Sequence, residues 1–222
     1  MPRQEKPYRE TEIKLPVADL PKLLAKLQAM GARPLGRVLE RNTVFDTDAA
    51  DLRQRGRLLR LRSETPAGSP FAPAGRAKTI LTAKSPPADE SRQPEAPKYK
   101  VLIEREVEVH DPAPPALPAE RKLRDRGWAF ALGVLGLRVG FRYEKYRTTF
   151  AVRGQSKDLH VTLDETPVGD FLELEGTPKS IDRAARVLNF APEDYIRSTY
   201  FEIYATQRRR RGRPVRNMLF RG

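Results

Sequence analysis

Glu10-Thr11-Glu12-Ile13-Lys14 sets two carboxylates and an ammonium at every second residue, with Thr11, Ile13 and Leu15 alternating between them. Successive side chains on a β-strand point to opposite faces, so Glu10, Glu12 and Lys14 share one face and the less polar set lies on the other. A single strand of this kind is an ordinary surface strand with its polar side in water. Repetition along the chain changes that reading. In Leu58-Leu59-Arg60-Leu61-Arg62 the arginines face one way and Leu59 and Leu61 the other, and in Lys78 to Lys84 the residues Lys78, Thr82 and Lys84 share a side. From Tyr99 to Val109, Glu104, Glu106 and Glu108 alternate with Arg105, Val107 and Val109. Phe141 to Phe150 puts Lys145, Arg147 and Thr149 on one face, and Leu159 to Asp164 opposes His160, Thr162 and Asp164 to Leu159, Val161 and Leu163. Phe171-Leu172-Glu173-Leu174-Glu175 repeats the opening pattern, and a shorter strand is expected at Thr43-Val44-Phe45-Asp46.

Amphipathic helices bracket these strands. Asp19 is placed to cap a helix carrying Leu20, Leu23, Leu24, Leu27 and Met30, with Gly31 as a left-handed stop. A helix is expected from Ala119 to Arg126 after a Pro/Ala linker, Asp111 to Pro118. Another follows Ser180 as cap, with Ile181, Ala184, Val187 and Leu188 on its buried side, and a last one opens at Pro192 and reaches about Tyr204. Ser63 to Gly75 and Ser85 to Pro97, rich in proline, glycine and alanine, read as long loops that could tune specificity. Trp128, with Phe130 and Leu132, reads as core or interface packing rather than a base-stacking platform.

Composition narrows the chemistry. The 222 residues are enough for one sizeable domain or two small ones. With no cysteine there is no disulfide, thiolate nucleophile or cysteine-bound zinc, and two histidines exclude a histidine-rich metal site. No run approaches the roughly 20 apolar residues of a membrane-spanning helix, and Met1 to Glu10 is too charged for a signal peptide, so a cytoplasmic protein without a membrane partner is expected. Of the net charge of +13, seven arginines lie between Thr206 and Gly222 with no acid among them, which leaves +6 on the remainder. Residues 206–222 are therefore expected to form a disordered basic tail behind a single domain spanning 1–205. Nucleic acid, if it is a partner at all, would be held through the Arg208 to Arg216 stretch.

Strand after strand has an apolar face that the helices can cover and a second face carrying both signs of charge. Closing the sheet satisfies both: the apolar face turns outward under the helices and the charged face lines a water-filled lumen. The expected fold class is therefore α+β, a closed antiparallel β-barrel with flanking helices. Charges collected in one cavity are costly without partners. Arg60, Arg62, Lys84, Lys145 and Arg147 suit several phosphate groups. Glu10, Glu12, Glu173 and Glu175 would repel a polyphosphate unless they hold a hard cation such as Mg²⁺ or Mn²⁺. A triphosphate with a divalent metal satisfies both sets.

These residues resemble the CYTH-domain family of triphosphate tunnel metalloenzymes, which includes class IV adenylyl cyclases, thiamine triphosphatases and inorganic triphosphatases. The ExExK signature is Glu10-Thr11-Glu12-Ile13-Lys14, and the likeness runs on through Phe45-Asp46-Thr47, Leu59-Arg60-Leu61-Arg62, Leu81-Thr82-Ala83-Lys84, Lys145-Tyr146-Arg147, Leu163-Asp164-Glu165, Gly169 to Glu175 and Ser198-Thr199-Tyr200. The resemblance implies an eight-stranded antiparallel tunnel. It implies metal ligation by Glu10, Glu12, Glu173 and Glu175, supported by Asp164 and the Glu104/Glu106 pair. It also implies a phosphate clasp of Arg60, Arg62, Lys84, Lys145 and Arg147, with Lys14 as a phosphate ligand or water-orienting group beside Glu12 and Asp164. Two positions depart from the pattern. Leu102 stands where an arginine is usual, with Lys100 as the available substitute, and Ser198 stands where a lysine is common, with Arg197 beside it. Hydrolysis of a triphosphate is the preferred expectation, cyclisation of ATP to cyclic AMP the alternative, and a non-catalytic polyphosphate or nucleic-acid binding module the third. The oligomeric state is left open, a dimer included.

Overall fold

The structure, a computed structural model, describes residues 8–67, 77–88, 98–110, 126–152 and 159–221. Eight strands form it: β1 (Tyr8–Val17), β2 (Ala32–Asp46), β3 (Leu58–Pro66), β4 (Lys78–Ser85), β5 (Lys100–Val109), β6 (Arg138–Val152), β7 (His160–Thr166) and β8 (Gly169–Glu175). Antiparallel ladders join them into a closed barrel in the order β1-β5-β4-β3-β2-β6-β7-β8. Register decides which side chains meet. Lys14 lies opposite Glu173 and Glu12 opposite Glu175, Thr82 lies between Arg60 and Glu106, and Lys84 faces Glu104. Cross-strand partners share a face, so the charged sets of separate strands converge on one interior.

The apolar faces point outward and are covered by helices. Ile13, Leu15, Val161, Leu163, Leu172 and Leu174 pack beneath α1 (Leu20–Ala29) and α4 (Pro178–Val187), which contribute Leu23, Leu27, Ile181, Ala184 and, just past the end of α4, Leu188. Full burial of each such aliphatic side chain contributes roughly 1.5–3 kcal/mol. On another side, Phe45 and Leu61 pack against Leu132 of α3 (Arg126–Val134), with Trp128 beside them donating its indole N–H to the His110 carbonyl at 3.2 Å. The short α2 (Asp51–Gln54) is held by Asp46, whose carboxylate accepts backbone N–H groups from Thr47, Leu52 and Arg53. Finally, α5 (Tyr200–Arg210) packs Tyr200 and Tyr204 with Phe141, Tyr143, Phe171 and Met218.

Several local expectations need correction. β2 begins at Ala32 rather than near Thr43, because β6 pairs with it along most of its length. The cap of α4 is Thr177, not Ser180, and Val187 is 53% exposed rather than buried; Leu24 on α1 is likewise 40% exposed. Pro192 opens only a 3₁₀ turn, Pro192–Asp194, and α5 starts afresh behind Thr199, whose hydroxyl and Glu202 form a reciprocal capping box. Trp128 and Leu132 pack in the core, whereas Phe130 is 78% exposed and outside it. The linker Asp111 to Pro118 and nearly all of the helix expected at Ala119 to Arg126 lie outside the described residues, as do parts of both long loops.

The basic C-terminal stretch also differs from the expected disordered tail. Thr206 to Arg210 continue α5, and Gly212, at φ +60°, turns the chain back. Met218 is then 1% exposed and its backbone pairs with β6 through Met218 N–H to Arg142 O at 2.9 Å and Glu144 N–H to Met218 O at 2.9 Å. Tyr204 Oη donates to Asn217 O, and the rings of Phe220 and Tyr146 lie 5.2 Å apart. Val215, Met218 and Phe220 are the apolar anchors that an average over arginines conceals.

Candidate active site: a charged tunnel

A cavity of about 990 Å³ occupies the barrel interior. It is lined by Glu10, Glu12 and Lys14 from β1, Arg60 and Arg62 from β3, Lys84 from β4, Glu104 and Glu106 from β5, Lys145 and Arg147 from β6, and Glu173 and Glu175 from β8. Of the expected site residues, Asp164 alone does not line it.

Opposite charges are interleaved so closely that nearly every cation has a carboxylate. Lys14 is 3% exposed, with Nζ 3.2 Å from Glu12 and 3.3 Å from Glu173. Lys84 Nζ lies 2.5 Å from Glu10 and 3.1 Å from Glu104, and Lys100 Nζ lies 2.6 Å from Glu12. Arg62 reaches Glu64 at 3.0 Å and Glu106 at 3.2 Å, while Arg60 is 3.6 Å from Glu106 and donates to Tyr143 Oη at 3.3 Å. Asp164, fully buried, binds Lys145 at 2.7 Å and Arg147 through two bonds of 2.7 and 2.6 Å, and accepts the Tyr200 hydroxyl at 2.6 Å. Arg147 also pairs with Glu173. Asp164 thus orders two cations and the N-terminal residue of α5 from behind the tunnel wall.

Burial penalises the Glu12 carboxylate, but Lys14 and Lys100 outweigh that penalty and hold its carboxyl well below the usual range. Burial opposes the charge on Lys14 too, yet Glu12 and Glu173 keep its ammonium well above the ordinary value. Glu173, despite burial, is depressed by Arg147 and Lys14. Glu175 behaves differently: burial, followed by the nearby Glu10, pushes its carboxyl up to about 7. Burial and Asp164 raise the Tyr200 phenol, which stays a hydrogen-bond donor.

Glu40 is the residue missed in the sequence. It is fully buried on β2, with Lys145 Nζ at 3.5 Å, Arg147 Nε at 3.6 Å and an Arg62 nitrogen at 3.9 Å. These cations overcome its burial and keep it ionised. The signal was the alternation Glu40, Asn42, Val44, obscured because Arg41 and Thr43 make the outer face of that strand polar as well. Lys100 does face the tunnel as the substitute suggested by Leu102, which itself lies across from Glu10, and Arg197 lines the cavity beside Ser198. His160 lines it too, across from Glu175.

Among the described residues no three carboxylates or imidazoles converge closely enough to hold a metal ion with the side chains as they stand. Glu10 and Glu12 are occupied by Lys84 and Lys100. The donor set nonetheless fits a hard divalent cation in kind. All its members are carboxylates, the oxygen donors that hard divalent cations take.

A closed barrel whose lumen holds an array of cations and carboxylates defines a class of charged-tunnel proteins. Comparison with known families places the chain within that class: the CYTH domain family matches residues 8–200, and the chain belongs to it. No curated protein sequence matches it. Among solved structures, a Pyrococcus horikoshii protein aligns with a TM-score of 0.61 at 21% identity, covering 90% of this chain and 99% of that one. A "putative adenylate cyclase" from Vibrio parahaemolyticus aligns at 0.57 with 20% identity, covering 89% and 98%. HpAC1 from Hippeastrum aligns at 0.50 with 20% identity, covering 93% and 97%. At such identities the likeness is one of fold. Among the described residues no helix is long and apolar enough to cross a membrane.

Proposed function

We propose that this chain is a divalent-metal-dependent triphosphatase acting in the cytoplasm, hydrolysing an inorganic or organic triphosphate inside the tunnel. The observation that supports it best is the array itself: cations from β1, β3, β4, β5 and β6 are gathered around one cavity and held there by the carboxylates interleaved with them. A triphosphate would take over Arg60, Arg62, Lys84, Lys145 and Arg147, the guanidinium groups binding in bidentate fashion. Glu10 and Glu173, released from Lys84 and Arg147, would join Glu12 and Glu175 in holding Mg²⁺ or Mn²⁺, which supplies charge neutralisation at phosphate oxygens. Glu104 and Glu106 support this set by steering Lys84 and Arg62.

Lys14 sits between Glu12 and Glu173 and is placed to orient the attacking water or a terminal phosphate oxygen. Water attacks the terminal phosphorus, the bridging P–O bond breaks, and the shortened phosphate leaves with the bond's electron pair. Asp164 positions Lys145 and Arg147 and touches no substrate. Catalysis of this kind is positioning and electrostatic stabilisation, which needs neither cysteine nor histidine.

Two features favour cyclisation of ATP as the second reading. The cavity exceeds what three phosphates need and includes an apolar stretch of Val44, Leu58, Val139 and Phe141, and the Vibrio relative carries the name "putative adenylate cyclase". The Hippeastrum protein named as a cyclase is described as having a dominant triphosphatase activity, which supports ranking hydrolysis ahead of cyclisation. The test is product analysis with triphosphate, ATP and thiamine triphosphate under Mg²⁺ or Mn²⁺. Phosphate release abolished in Glu12→Gln is expected, stoichiometric cyclic AMP would replace the reading with cyclisation, and metal-dependent binding without turnover would leave a binding module.

A further inference from the structure

Arginines at the C-terminal end of α5 and beyond it are displayed on an anchored surface rather than carried on a loose tail. Arg209, Arg210, Arg211, Arg213, Arg216 and Arg221 are exposed, and among the described residues none of them forms an ion pair. Glu144, the β6 acid that accepts the Phe220 N–H, already pairs with Arg41. Meanwhile Met218 is buried, Arg208 Nε donates to Pro214 O at 2.9 Å, and Gly212 and Arg213 N–H groups close the helix end on Arg209 and Arg208 carbonyls. Cations in a last helical turn do complement the helix dipole, typically by about 0.3–1 kcal/mol. That accounts for Arg208 to Arg210 and leaves Arg211, Arg213, Arg216 and Arg221 without a structural reason.

We propose that this docked segment is a sequence-independent binding surface for the phosphate backbone of nucleic acid, separate from the tunnel. All seven cations of the segment are arginine and none is lysine, which suits bidentate contact with phosphate oxygens. The aromatic ring of the segment, Phe220, packs on Tyr146 and is not free to stack on bases, so backbone contact is favoured over base readout. A lipid surface is disfavoured because Val215 and Met218 turn inward, leaving Leu219, 44% exposed, as the outward apolar side chain of the segment.

The experiment is fluorescence anisotropy with labelled oligonucleotides of roughly 20 nucleotides, single-stranded DNA and RNA in two unrelated sequences, from about 50 to 200 mM salt. The parent is expected to bind both sequences alike. R209Q/R210Q/R211Q/R213Q should weaken binding at least about tenfold at low salt and reduce the salt slope by up to about 3. Triphosphate binding in the tunnel should be unchanged in that variant, and nucleic-acid binding unchanged in Arg62→Ala. Met218→Asp, which releases the anchor, should weaken nucleic-acid binding severalfold. The proposal is overturned if the parent does not bind at low salt, if the quadruple variant binds as the parent does, or if Arg62→Ala loses binding. Preference for inorganic polyphosphate or anionic vesicles would overturn it too, and undiminished binding by Met218→Asp would overturn the role of docking.

Discussion

Replacing Glu40 with glutamine should move stability and anion affinity in opposite directions. Glu40 is fully buried with Lys145 at 3.5 Å, Arg147 at 3.6 Å and Arg62 at 3.9 Å. At an effective dielectric of about 20, each separation corresponds to roughly 4–5 kcal/mol of attraction before desolvation is counted. Desolvation of the carboxylate offsets several kcal/mol, leaving a net loss of about 3–5 kcal/mol when one partner of such a buried set is removed. For a chain of this size that is a fall in melting temperature of roughly 10 °C. The same change removes a negative charge from among the cations that would grip phosphate, and its Oε1 accepts no hydrogen bond among the described residues, so charge is its main contribution. Affinity for triphosphate without metal should rise at least about tenfold, or 1.4 kcal/mol. Thermal melting and calorimetric titration of Glu40→Gln in chelator measure the two effects. An unchanged melting point with unchanged affinity, or a joint loss of both, would refute the electrostatic reasoning.

In chelator, the folded chain keeps a proton on Glu175 up to about pH 7, whereas the unfolded chain releases it near 4.5. The native state therefore binds more protons in that window and stability should fall as pH rises through it, by up to about 3 kcal/mol; Glu175→Gln should flatten the slope in urea melts. Leu172→Ala, at a fully buried position, should cost about 2–5 kcal/mol by denaturant unfolding, whereas Leu24→Ala, on a side chain 40% exposed, should cost well under half as much. Tyr200→Phe deletes the buried hydroxyl that donates to Asp164 at 2.6 Å and should destabilise the protein by about 1–2 kcal/mol. Equal melting curves for Tyr200→Phe and parent would show that this bond does not stabilise the fold.

Closure was legible in the chain because its cause is local. Glu10, Glu12 and Lys14, Arg60 and Arg62, and Glu173 and Glu175 each alternate with leucine, isoleucine or threonine, and a period of two needs no knowledge of neighbours. Where both faces of a strand are polar the same rule fails, which is why Glu40 and Asn42 escaped notice. Averages over composition failed in the same way at the C-terminus, where three spaced apolar residues outweigh seven arginines once a β6 edge is available to receive them.

Local pattern alone thus implied that charged and apolar faces alternate through strand after strand, that helices cover the apolar side, and that cysteine and histidine-cluster chemistry is excluded. The pairings emerged only in the folded barrel: Lys14 is shared by Glu12 and Glu173, and Asp164 stands behind Lys145 and Arg147 instead of facing the cavity. Alternation assigns a face within one strand, but the register between strands distant in sequence sets which charges meet, and that register follows from closing the whole barrel.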